Sequence, residues 1–139
     1  MVRIICTPGS PRPPQTQGCW EQSTKMNAEE VSTPIIKKGT TIAAHVEHLR
    51  WSLNMANSFT NGENPAMNWS ESWQVRHVNS DEWELLVQEL WREFNLLIQT
   101  LSSGIRWASD EQLGEVLALV PHAAYHLGAI RQMILIVKA

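Results

Sequence analysis

The sequence predicts an all-α fold, an up-and-down helical bundle, and three observations carry that expectation. Apolar residues recur at steps of three and four through three long segments, which is the spacing of one helical face. No segment shows the alternation of a half-buried strand, and no heptad run is long enough for an extended coiled coil. Stretches rich in Gly, Pro, Asn and Ser lie between the periodic segments, where turns belong. With 139 residues, 43% of them hydrophobic, the chain can build one real core but not two comfortable ones, so a single domain is expected.

Residues 1–26 hold Pro8, Pro11, Pro13 and Pro14 among Gly, Gln, Ser and Thr, a composition that cannot bury enough apolar surface to order itself. They are expected to form a disordered proline-rich tail, with the helical domain over 27–139. Cys6 and Cys19 fall in that tail at a spacing that is neither a zinc knuckle nor a disulfide framework. The first helix, helix A, starts after Thr40 or Thr41, either of which can cap it. It places Ile42, His45, Leu49 and Leu53 on one stripe, with Val46, Ala56 and Phe59 beside them. The following "TNGENPAMNWSESWQVRHVN" has no sustained period and reads as a long structured loop with one short helical turn, since Trp69 and Trp73 sit one turn apart. Helix B is expected to be capped by Ser80 and to end at Gly104. Its first turn is acidic, and its stripe is Trp83, Val87, Leu90, Phe94, Leu97 and Leu101. A last helix opens with a Ser109/Gln112 capping box and keeps its apolar pattern to Val137, with Pro121 expected to break or kink it after Val120.

Charge narrows the partners. A formal net charge of −3 and no run of Lys or Arg leave no electrostatic footprint for nucleic acid or an anionic membrane. The longest apolar stretch, from Val116 to Val137, contains Pro121, two histidines and Arg131, which a lipid-facing span would not tolerate cheaply. The opening "MVRIICTPGSPRPP" falls short of a secretory signal. The expected location is therefore cytoplasmic, with no membrane and no nucleic acid as partner.

The histidines are the chemistry-bearing residues. His122 and His126, four apart on a helix, can direct both imidazoles at one point, the arrangement of helical zinc sites. Helix A adds His45 and His48 on its core-facing side. Leaving several buried imidazoles without partners costs roughly 1–3 kcal/mol each, a penalty that convergence on a metal removes. Residues three apart diverge by about 60° around the axis, so one of His45 and His48 is expected to ligate and the other to be exposed or to sit behind it. His77 lies in the loop and reads as a surface residue. Trp83 and Trp91 read as core, Trp51, Trp69 and Trp73 are open between packing and a ligand wall, and Arg131 is expected to reach solvent along its stem.

The order "TIAAHVEHLRWSL", "NWSESWQVRHVNSDEWELLVQEL" and "HAAYHLGAIRQM" resembles the DinB/YfiT-like superfamily of metal-dependent four-helix bundles over roughly residues 35–139. The resemblance implies His122 and His126 as metal ligands, Gly128 as a small residue where helices approach, and His48 in preference to His45 as the third ligand. Position 129 departs from the pattern, with Ala where Gln is common. A second departure is the missing or truncated first helix, whose place is taken by the proline-rich tail and "MNAEEVS". The groove this leaves, and the dimers common among related bundles, imply a homodimer that covers the exposed side of helices A and B.

Three neutral imidazoles leave a divalent ion with open coordination positions, the pattern of a catalytic site. Zinc, nickel and iron all accept such ligands. The resemblance implies a small-molecule substrate and either a thiol-dependent transferase, using a low-molecular-weight thiol, or a metal-dependent hydrolase. Ala123 stands where the general-base Glu of an HExxH protease would be, which argues against that class. The alternative is a non-catalytic bundle that binds a metal or an apolar small ligand.

Overall fold

The computed structural model describes residues 25–139. Among them are four α-helices, one 3-10 turn and no strand. The helices are α1 (Ala28–Ser32), α2 (Ile42–Thr60), α3 (Ser80–Ser102) and α4 (Asp110–Val137), and the 3-10 turn spans Glu71–Trp73. The all-α expectation holds. The tail expected over residues 1–26, with Cys6 and Cys19, lies outside the described residues except for Lys25 and Met26, and Met26 is buried in the core.

Short polar side chains start every helix. Asn27 accepts from the Glu30 N–H while the Glu30 carboxylate accepts from the Asn27 N–H, a reciprocal box that lets a five-residue helix form. Asn79 and Glu82 make the same box at α3, so the cap of helix B is Asn79 and Ser80 is already its first helical residue. Thr41, not Thr40, caps α2, by accepting from the Ala44 N–H. Ser109 caps α4, but Gln112 does not close the expected box. Its carbonyl oxygen accepts from the Ala108 N–H, and its amide donates to the Phe59 carbonyl at 2.7 Å, tying the start of α4 to the end of α2. Gly104, at φ +84°, follows α3 in the left-handed conformation that turns the chain.

Helix α2 is the hub, packed against α1, α3, α4 and the 3-10 turn, and none of its residues is exposed. Its Ile42, Val46 and Leu49 join Trp83, Leu86 and Leu90 of α3 and Ile130, Met133 and Ile134 of α4 in one core, with Val31 of α1 fully buried at the same end. The buried stripe of α3 is Trp83, Leu86, Leu90, Glu93 and Leu97. It is rotated from the expected one, with Val87, Phe94 and Leu101 half-buried at its border. The rotation brings Glu93 inside, where Asn57 of α2 donates to its carboxylate at 2.8 Å. Trp91, expected in the core, is half-buried beside Phe94.

Helix α4 departs furthest from expectation. It runs unbroken through Pro121. The proline removes one N–H, and the carbonyl it strands, on Leu117, lies on an exposed stretch where water can satisfy it. Gly128 faces open space, since a Cβ there would meet nothing within 4 Å, so it is not a point of close helix approach. Large apolar side chains stand exposed along α4 at Leu117, Val120, Tyr125, Leu135 and Ile136, with two more on α3 and none on α2. By length and composition alone α4 is the one helix among the described residues that could cross a membrane.

Candidate metal centre

Two helices and one loop build the site. His45 and His48 lie in the first two turns of α2, fixed by the Thr41 cap, whose hydroxyl also donates to the Arg76 carbonyl at 3.0 Å and anchors the loop. His122 and His126 lie on consecutive turns of α4. The loop between α2 and α3 returns over them through Trp69, Ser72 and Trp73.

The Nε2 atoms of His48 and His122 are 2.9 Å apart, and those of His126 and His122 are 3.0 Å apart. His48, His122 and His126 each offer a ligand nitrogen, all within 4.8 Å of one another. Three nitrogens at 2.0–2.1 Å from one tetrahedral ion stand roughly 3.3 Å apart, so small ring rotations would open this cluster to a metal. Among the described residues no carboxylate joins it. His45 stays outside the trio and sits behind it, as the reading of helix A allowed for one of its two histidines. His77 is exposed in the loop and takes no part.

The outer nitrogens show how the trio is oriented. Ser72 donates its hydroxyl proton to the Trp69 carbonyl at 2.7 Å, so toward His48 it can only accept, and it does so from Nδ1–H at 2.7 Å. That tautomer leaves the lone pair of His48 on Nε2, facing the cluster. His126 Nδ1 lies 2.8 Å from His45 Nδ1, and His45 Nε2 lies 3.0 Å from the Thr40 hydroxyl. With His126 donating to His45 and His45 donating to Thr40, His126 Nε2 is also free. Ligating imidazoles are usually held this way through their other ring nitrogen. Thr40 and Ser72 are the partners of this histidine cluster that the spacing of histidines did not single out. Only the loop's return across α2 brings Ser72 there.

Burial keeps these imidazoles neutral. Desolvation, then the charges of His122 and His45, hold His48 down to about 4, and desolvation, then His122, His48 and His45, hold His126 down to about 3. Desolvation lowers His45 and His122 as well. The neutral form is the metal-binding form, so at neutral pH the cluster competes little with protons.

Aromatic rings enclose one side. Trp73 stacks on His48 at 4.2 Å between ring centres and meets His45 edge-on at 5.3 Å. Trp69 is 49% exposed and leans on Trp51 at 5.1 Å and on His48 at 5.8 Å. Since His48 and His126 are 3% and 2% exposed and His122 is only half-buried, the trio opens to solvent on the His122 side. No family model, curated protein or solved structure matches this chain.

Proposed function

We propose that the chain is a divalent-metal-dependent enzyme of the DinB/YfiT-like type, with His48, His122 and His126 as ligands, and that it acts as a thiol-dependent transferase. The observation behind this reading is the meeting of three imidazoles from two helices, with the outer nitrogens of His48 and His126 already engaged. A divalent ion in such a site lowers the pKa of a bound thiol or water toward neutrality. The surroundings favour the thiol. Activated water generally works with a carboxylate or free imidazole as general base, and the ring contacts and hydrogen bonds made to the trio come from tryptophans, Tyr125, Ser72 and His45, with His45 already engaged at His126 and Thr40. A thiol that ionises readily needs no such base. The chain's own part is to hold three neutral donors, exclude charge and shield the reacting sulfur behind Trp69 and Trp73. Zinc, nickel and iron suit the donor set equally.

Cobalt substitution tests this. The cobalt-loaded chain should show visible ligand-field bands, and a low-molecular-weight thiol should add a near-ultraviolet sulfur-to-cobalt charge-transfer band that is lost in His126→Ala. Ligand-field bands that thiols leave unchanged would favour the hydrolase. Loss of cobalt on gel filtration would reject the metal centre.

A further inference from the structure

Trp69 has a position that packing does not explain. A tryptophan placed for stability buries its ring, yet Trp69 leaves 49% of its surface in water beside the only solvent-facing member of the trio. One side of its ring rests on Trp51 and His48, and its plane stands T-shaped to His122 with 6.4 Å between ring centres. Its backbone is not free to drift, because Ser72 donates to the Trp69 carbonyl while accepting from His48. Further polar contacts brace the turn, since Asn68 accepts from the Ser70 hydroxyl at 2.6 Å and donates to Glu71 at 2.8 Å. A rigid, half-exposed indole thus stands at the mouth of the cluster.

We propose that this indole is a stacking platform and that the site takes a planar aromatic ligand. Its ring lies on Trp69 while a donor atom on its substituent reaches the trio from the His122 side. This names a substrate class and rests on the metal reading given above. Planarity follows from the surface. Offset stacking on an indole rewards a flat π-face and adds to simple area burial, whereas a puckered ring of the same size gains only the latter. Polarity follows from the walls. Tryptophans supply apolar area and no charged side chain, so the ligand's polar group has its partner at the trio and its ring elsewhere.

The probes are benzohydroxamate, cyclohexanecarbohydroxamate and acetohydroxamate, which share one chelating head, titrated calorimetrically into zinc-loaded full chain. The part of aromatic stacking that goes beyond area burial is worth about 0.5–1.5 kcal/mol, which is roughly a two- to 13-fold change in affinity. The flat ring should therefore bind about two- to 13-fold tighter than the puckered one and more tightly still than the methyl compound. Trp69→Ala should erase the gap between the two rings, each read relative to acetohydroxamate in the same variant, and Trp69→Phe should restore part of it. Zinc-loaded protein that binds the two rings equally, or keeps its preference in Trp69→Ala, would overturn the stacking platform and leave the metal centre standing. A chain that takes up no zinc would overturn both.

Discussion

Helices α2 and α4 supply two histidines each to one cluster, yet they are opposite in every other respect. Every residue of α2 is at least half-buried, and most polar groups it brings inside are matched: His45 to Thr40 and His126, His48 to Ser72, Ser52 to the His48 carbonyl, and the Asn57 amide N–H to Glu93, while the buried Asn57 Oδ1 has no hydrogen-bond partner among the described residues. Helix α4 presses a narrow edge of His126, Ile130, Met133 and Ile134 against α2 and leaves most of its surface in water, with no charged residue from Val116 to Ile130. The contrast assigns the work. The α2 histidines are set by the fold, and the α4 pair closes on them from a helix held along one side only.

That difference can be broken most severely at the ligands. Removing an imidazole should lower metal affinity by at least about a hundredfold in His48→Ala and His126→Ala alike, since even outer hydrogen-bond partners are worth about 10–100-fold. The fold should not respond alike. With metal chelated, His48→Ala leaves the Ser72 hydroxyl without its donor and a gap under Trp73, and should cost about 1–3 kcal/mol in denaturant unfolding. His122→Ala, half-exposed, should stay within about 0.5 kcal/mol. Equal destabilisation by His48→Ala and His122→Ala would show that the half-exposed α4 ligand is as much a part of the packing as the buried α2 one.

Next in size is the hydrogen-bonded ring of supports. Ser72→Ala and His45→Phe should each weaken zinc binding by about tenfold or more without removing a ligand, whereas His77→Ala should do nothing. Competition with a chromophoric chelator measures all three.

The uncovered face of α4 gives a further handle. The homodimer expected from the sequence was placed on helices A and B, where Leu85 and Leu96 of α3 are 56% and 43% exposed, and α4 exposes Leu117 and Val120 at 59% and 69%. We propose that self-association uses this face of α4, the most exposed apolar stretch among the described residues. Sedimentation velocity at tens of micromolar should show a dimer that the double substitution Leu117→Glu and Val120→Glu converts to monomer, with the metal site intact. A monomeric wild type refutes this.

A last handle is acid stability. His48 and His126 are lowered to about 4 and about 3, below the ordinary 6.5, so between those values the unfolded chain binds protons that the folded chain does not. Stability of the metal-free protein therefore falls as pH drops from about 6.5 toward 4, with a slope of up to about 1.4 kcal/mol per pH unit for each such imidazole. His126→Phe should flatten that slope in pH-dependent unfolding. A profile flat across this window would show that the imidazoles are not desolvated.

Much of this was legible in the residues. The three long helices followed from their periodicity, and the pairing of His122 with His126 followed from a spacing of four. Residue spacing left His45 and His48 open. It is the geometry that separates them, because both are buried and only their partners differ. The rotated stripe of α3 escaped detection because Glu93 reads as a surface residue until Asn57 is placed opposite it. Pro121 read as a break because its neighbours' exposure to water, which makes it tolerable, is a tertiary property. Ser72 carries no motif at all.

The central claim is that His48, His122 and His126 together hold one divalent ion, and zinc titration calorimetry at pH 7.5 tests it most directly. The full chain should bind a single ion per chain, and His48→Ala, His122→Ala and His126→Ala should each lose most of that affinity while His77→Ala keeps it. Binding of no zinc, or binding left unchanged when His126 is replaced, would reduce the cluster to three buried imidazoles and the half-buried His122 packed against one another.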